Sequence, residues 1–139
     1  MRERLTCACG AVTGTATPTS DISGVCHCVT CRKWSGGAYM GVSCKDVSFD
    51  DDSKLSVWLS SDCGQRVFCA DCGSTLMWQM RDGSHSSVSL QLFDDPSRFP
   101  MRSEIFIDDK PDGYEFVGQH ERLTRAEVMA KYAPKQDAH

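Results

Sequence analysis

The chain reads as a mainly β domain with short helices, and three observations lead to that class. Runs rich in β-branched and aromatic residues recur along it, punctuated by Gly, Asp, Ser and Pro. Helical periodicity is scarce outside the C-terminal region. Seven of the nine cysteines fall into three tight clusters, Cys7-Ala8-Cys9, Cys26-His27-Cys28-Val29-Thr30-Cys31 and Cys69-Ala70-Asp71-Cys72, which reads as a fold reinforced by metal.

Taken in order, strands are expected at 2–7, 10–17, 23–28, 38–43, 55–60, 66–69, 75–79, 86–92 and 102–107. The turn signals between them include Asp50-Asp51-Asp52-Ser53, Asp82-Gly83-Ser84 and Asp94-Asp95-Pro96-Ser97. Within 55–60, Trp58 breaks the alternation, so this strand is expected to be covered on both faces. A single helical turn is expected after Cys28, because Cys-x-x-Cys pairs often sit on one. Thr124 and Glu127 match a capping box and predict a helix over about 124–133, ending before Pro134. With no internal linker, repeat or low-complexity segment, residues 1–139 form one domain.

A chain of 139 residues and 15.4 kDa, 40% hydrophobic, can bury a real core, so metal would supplement that core and not replace it. A net charge of -4 and a pI near 5.5 exclude generic binding to nucleic acid and attraction to anionic lipid. No apolar run approaches the roughly 20 residues that cross a bilayer. The N-terminal Met1-Arg2-Glu3-Arg4-Leu5-Thr6 has no apolar stretch after its charges, so the expected location is cytoplasmic. In that reducing compartment cysteines are metal ligands or free thiols before they are disulfides.

Four ligands plus three is the arithmetic of two zinc sites. Cys7 and Cys9 with Cys69 and Cys72 supply a closed tetrahedral set, about sixty residues apart in the chain. Glycine follows the last cysteine of each pair, at Gly10 and Gly73, where a positive φ lets backbone amides turn toward the sulfurs. Buried free thiols, or a redox-active Cys69–Cys72 pair, are the alternatives, although the redox pair lacks its usual βαβ context.

Cys26, Cys28 and Cys31 form a three-sulfur cup, for which His27 is poorly placed because alternate residues of an extended chain face opposite ways. Cys63, in its Ser61-Asp62-Cys63-Gly64 turn, is the other candidate to close the cup, and Cys44 reads as a core residue. Left open, the fourth position takes water or substrate. Three thiolates on Zn²⁺ leave a net charge of -1, which makes generating hydroxide at neutral pH less natural than holding a substrate thiol as thiolate.

Three stretches, Cys7-Ala8-Cys9-Gly10-Ala11-Val12-Thr13-Gly14, Cys26-His27-Cys28-Val29-Thr30-Cys31-Arg32-Lys33 and Arg66-Val67-Phe68-Cys69-Ala70-Asp71-Cys72-Gly73-Ser74, followed by Leu92-Phe93-Asp94-Asp95-Pro96, resemble the glutathione-dependent formaldehyde-activating enzyme family. That family includes the centromere protein V proteins. The resemblance covers about residues 3–115 and implies a tent-like all-β zinc fold. It implies a structural zinc on Cys7, Cys9, Cys69 and Cys72 and a catalytic zinc on Cys26, Cys28 and Cys31. It also implies a carbon–sulfur lyase chemistry, the condensation of formaldehyde with glutathione.

On this reading Arg32 and Lys33 attract the carboxylates of an anionic thiol or form a solvated face. Gly36 and Gly37 offer backbone amides, and Trp34 and Tyr39 flank that loop. Trp58, Phe68 and Trp78 are expected in the core, and His85 and His120 at the surface. Two functions follow: an enzyme joining a small thiol such as glutathione to an aldehyde, or a non-catalytic zinc module that binds a protein partner. Closure of the second site by Cys63 or His27 would favour the module.

Overall fold

The computed structural model describes residues 1–132. The chain runs β1 (Glu3–Thr6), β2 (Thr13–Pro18), β3 (Ser23–Cys26), α1 (Val29–Ser35), β4 (Tyr39–Phe49), β5 (Leu55–Trp58), β6 (Gly64–Cys69) and β7 (Thr75–Met80). It continues with β8 (Ser86–Ser89), β9 (Met101–Ile105), β10 (Glu121–Leu123) and α2 (Arg125–Tyr132). Short 3-10 turns occupy Asp52–Lys54, Leu90–Leu92, Pro96–Arg98 and Ile107–Asp109.

The strands join one sheet in the order β10-β9-β3-β4-β8-β7-β6-β5, with β1 and β2 as a branch. The branch exists because β4 is 11 residues long and changes partner along its length. Its start pairs with β3, its middle with β8, and its end with β2. One strand is thus shared by three neighbours and holds the branch to the rest of the sheet. Most neighbours are antiparallel, but β3 and β10 both run parallel to β9. No helix among the described residues is long and apolar enough to cross a membrane.

The main core lies under the β1, β2, β4, β6, β7 and β8 strands, where Leu5, Val42, Val67, Leu76 and Phe99 are each at most 2% exposed. Cys44 belongs to it, as a core residue should. A second, smaller cluster joins Cys26, Cys28 and Cys31 to Tyr39, Phe106 and Val128. The candidate site therefore sits in an apolar neighbourhood of its own, between β3, α1 and α2.

Several expected elements shift. The strand expected at 86–92 stops at Ser89, because the chain turns through Leu90–Leu92 to bury both leucines in the main core. The polar Glu121–Leu123 segment, which carries no strand signature, becomes β10 by parallel pairing with β9. The double coverage expected for 55–60 is wrong: β5 is the terminal strand, and Val57, Trp58 and Leu59 are 52%, 47% and 59% exposed. Trp58 thus lies outside the core, whereas Trp78 is buried as expected.

The capping box at the start of α2 forms in both directions. Thr124 N–H donates to Glu127 Oε1 at 2.8 Å, and Glu127 N–H donates to Thr124 Oγ1 at 3.2 Å. The helix docks through Val128 and through Arg125, whose guanidinium lies 4.7 Å from the centre of the Phe106 ring. The expected stop before Pro134 lies outside the described residues.

Candidate metal centre

Two groups of cysteines converge. In the first, Cys7, Cys9, Cys69 and Cys72 bring their sulfurs within 4.8 Å of one another. Cys7 and Cys9 leave the end of β1, and Cys69 ends β6 with Cys72 on the turn that follows. Both glycines take the expected left-handed conformation, with φ of 82° at Gly10 and 78° at Gly73. The turn after Cys9 aims amides at sulfur: Val12 N–H donates to Cys7 Sγ at 3.3 Å and Ala11 N–H to Cys9 Sγ at 3.4 Å. The Ser74 hydroxyl and amide lower the Cys72 thiol to about 6, which favours its thiolate.

The spacing of these sulfurs tests the fit to a metal. A tetrahedron with zinc–sulfur bonds of about 2.3 Å has edges of about 3.8 Å. Cys7 and Cys9 sulfurs stand 3.7 Å apart, and Cys9 and Cys69 sulfurs 3.8 Å. The group fits a zinc-sized ion.

In the second group Cys26, Cys28 and Cys31 also lie within 4.8 Å of one another, all buried. Cys26 closes β3, Cys28 is the N-cap of α1 and Cys31 lies in its first turn. The Cys28 sulfur accepts from the Cys31 amide at 3.4 Å, so capping the helix and shaping the cup are one act. Hydrogen bonds from the Cys26 and Cys31 thiols lower Cys28 to about 2, and the same contacts push Cys26 up. Among the described residues no fourth Cys, His, Asp or Glu joins this group.

Neither candidate to close the cup does so. Cys63 stays outside the group. His27 is fully buried on the opposite face, with its Nε2 2.7 Å from Glu104 Oε1. Glu104, 1% exposed, also takes a short hydrogen bond from His120 and one from Arg122 Nε at 3.1 Å. The expectation of a surface His120 is therefore overturned, since its side chain is 2% exposed behind the ligand loop. A buried carboxylate gathered three donors there because an unpaired one would be costly.

Burial raises the Glu104 carboxyl, but hydrogen bonds from His120 and His27 outweigh it and hold the group below its ordinary value of 4.5. A depressed carboxylate contributes stability that is complete above the unfolded value and is lost as pH falls through the folded one. We expect Glu104→Gln to cost about 1.5–3 kcal/mol at neutral pH, as loss of charged hydrogen bonds does. The gap between the denaturation midpoints of wild type and variant should shrink as pH drops below 4.5. A gap that stays constant down to pH 3 would contradict this assignment.

A cleft of about 700 Å³ opens beside the second group, lined by Cys26 and Cys31 at one end and walled by β3, β4, β8 and β9. Tyr39 and Trp78 line it from the protein interior, and His85, Arg102 and Lys131 from the surface. Burial pushes the Tyr39 hydroxyl up, and it donates to the Ser87 carbonyl. The wall between is built of small residues, Gly24, Gly41, Ser43, Ser87 and Ser103. A Cβ on Gly41 would come within 2.2 Å of Ser87 Oγ, so the Ser87 hydroxyl occupies the space that the glycine leaves.

Of the residues that sequence singled out for substrate contact, Tyr39 lines this cleft, whereas Arg32, Lys33, Trp34, Gly36 and Gly37 lie around α1 and do not. Arg32 Nε donates to the His27 carbonyl at 3.0 Å, which ties its guanidinium to the ligand loop. Lys33 and Trp34 line a separate, smaller pocket with Val29, Thr30 and Trp58. Gly36 is the left-handed C-cap of α1, its N–H donating to the Arg32 carbonyl, and the Gly37 carbonyl accepts from Ser35 Oγ. The residue that sequence reasoning passed over is Arg66, 1% exposed, whose Nη1 donates to Cys31 Sγ at 3.3 Å. Its only signal was its place at the head of the third motif stretch, three residues before Cys69.

A sequence model of the family described as glutathione-dependent formaldehyde-activating enzyme matches residues 3–109. The chain belongs to that family. An uncharacterized lyase of Schizosaccharomyces pombe is 33% identical over 106 residues, which are 75% of this chain and 77% of that protein. The crystal structure of a Rhodobacter sphaeroides protein superposes with a TM-score of 0.58 at 19% identity. It covers 73% of this chain and 99% of its own, and it supports the fold alone. The family match ends at the 3-10 turn after β9, so β10 and α2 lie beyond the matched segment.

Proposed function

We propose that the protein is a zinc-dependent carbon–sulfur lyase that joins a small thiol, glutathione or a relative, to formaldehyde or a related aldehyde. The observation that carries this reading is the three-sulfur cup with two of its cysteines facing a cleft large enough for a tripeptide-sized ligand. Family membership and the lyase relative support the same reaction class.

Cys26, Cys28 and Cys31 would hold the catalytic zinc, and Cys7, Cys9, Cys69 and Cys72 the structural one. Bound in the cup, zinc supplies a Lewis-acidic centre that lowers a thiol's pKa and keeps its sulfur nucleophilic. The reaction is redox-neutral: a carbon–sulfur bond forms, the carbonyl π bond breaks, and the proton lost from sulfur ends on oxygen. The cleft walls orient the thiol, and Arg102 among its lining residues offers positive charge to its carboxylates. Tyr39, raised by burial and already donating to Ser87, braces the wall and is no base.

The test is exchange spectroscopy on zinc-loaded protein with glutathione and formaldehyde, then with a panel of thiols and aldehydes. Faster adduct exchange for at least one pair is expected. No acceleration with any pair, at full zinc occupancy, would sink the enzyme reading.

A further inference from the structure

Arg66 is a buried cation. Its side chain is among the most buried large groups of the protein, at 1% exposure. No carboxylate among the described residues forms an ion pair with it. Instead Nη1 donates to Cys31 Sγ at 3.3 Å, Nε donates to Ser60 Oγ at 3.3 Å, and the guanidinium lies 5.0 Å from the centre of the Trp34 ring. Taking a guanidinium out of water is expensive unless an anion or a π face compensates it. The anion within reach is the sulfur cluster.

The strand sets this up. Val67 faces the main core, so its neighbour Arg66 faces the other way, toward α1 and Cys31. The same strand ends in Cys69, a member of the four-cysteine group. Arg66 does not line the cleft, whereas Cys31 does. The arginine is thus placed behind the cup, where it touches a ligand sulfur and not a bound substrate.

We propose that Arg66 is the built-in counterion of the three-cysteine centre, a positioning residue whose fixed charge sets the centre's preference for an anionic sulfur ligand over a neutral one. The inference rests on the reading that a divalent metal occupies Cys26, Cys28 and Cys31. Three thiolates and a dication carry -1, and Arg66 brings the sum to zero. An incoming thiolate then meets a neutral site and not an anionic one, inside an apolar pocket where charge is poorly screened. Arginine suits the task because it stays ionised when buried and lies over the Trp34 ring.

Cobalt(II) substitution reads the effect without turnover. The four-cysteine site is saturated and does not respond to added ligands, so visible-band changes report the three-cysteine site. Wild type, Arg66→Met and Arg66→Lys are titrated with 2-mercaptoethanol and, separately, with imidazole, after circular dichroism has checked each fold. In Arg66→Met we expect mercaptoethanol affinity to fall about tenfold or more while imidazole affinity stays within about twofold. Arg66→Lys keeps a cation beside the anionic sulfurs, which favour its charged form, and should hold the thiolate-to-imidazole ratio within about threefold of wild type.

Equal losses for both ligands in Arg66→Met, or no loss for either, would overturn the counterion role. If Arg66→Met does not fold, Arg66→Lys decides alone: a ratio that collapses despite the retained charge overturns the role. A wild type that binds cobalt only at the four-cysteine site overturns the metal reading itself, and with it this one.

Discussion

Cys72→Ser is expected to unfold the domain or to lower its Tm by roughly 15 °C or more, the shift that loss of about 5 kcal/mol produces at this size. Cys72 is solvent-exposed, so its replacement forfeits almost no buried apolar surface. Any large effect must come through the ligand it supplies. Structural zinc contributes about 10–16 kcal/mol in small zinc-finger peptides, against a whole-domain stability of about 5–15 kcal/mol. The site ties the end of β1 to the turn after β6, two segments that are not neighbours in the sheet. Thermal unfolding followed by circular dichroism, with zinc analysis on the same samples, checks the outcome. An unchanged Tm would mean that the four sulfurs hold no structural ion.

Cys28→Ser should do the opposite. We expect one metal equivalent per chain to be lost and thiol–aldehyde activity to fall below detection, with the circular dichroism spectrum and Tm near wild type. Serine is a preferred N-cap, so it can accept the α1 amide that Cys28 accepts now. The hydroxyl is close to the thiol in size, so the second cluster loses little packing. What goes is a soft ligand of the cup, which serine does not replace. Metal analysis and activity on the same preparation test it. Should Cys28→Ser and Cys72→Ser behave alike, the split into a stapling site and a working site would fail.

Much of the site was legible because metal ligation imposes short-range spacing. Two cysteines one or two residues apart can reach a common ion by local geometry, and the glycines after them announce the required φ. The pairing of Cys7 and Cys9 with Cys69 and Cys72 is not a matter of local spacing, since about sixty residues separate them; the count of four thiolates and the family resemblance joined them. The capping box of α2 is another local signal, and it forms as written. β5 shows where such reading stops. Its apolar run suggests coverage, yet a strand's neighbours depend on where it falls in the sheet order, and β5 falls at the edge.

His120 and Arg66 failed to declare themselves for a stronger reason. His120 lies in polar surroundings in the chain, but its side chain is drawn inside by Glu104, 16 residues away. Arg66 lies 35 residues from the sulfur it contacts. Buried charges are placed by partners that are distant in sequence, and no local pattern records the pairing.

From the amino acids alone came the class of fold, the three cysteine clusters and the kind of ion they suit, since ligand type and spacing are properties of short segments. The folded chain alone settled which side of the cup is open, what lies behind it and which charges face it. It put the cleft along β3, β4, β8 and β9 and set α1's basic residues elsewhere. Those are matters of solvent exclusion and long-range register, which arise only when strands far apart in the chain come together.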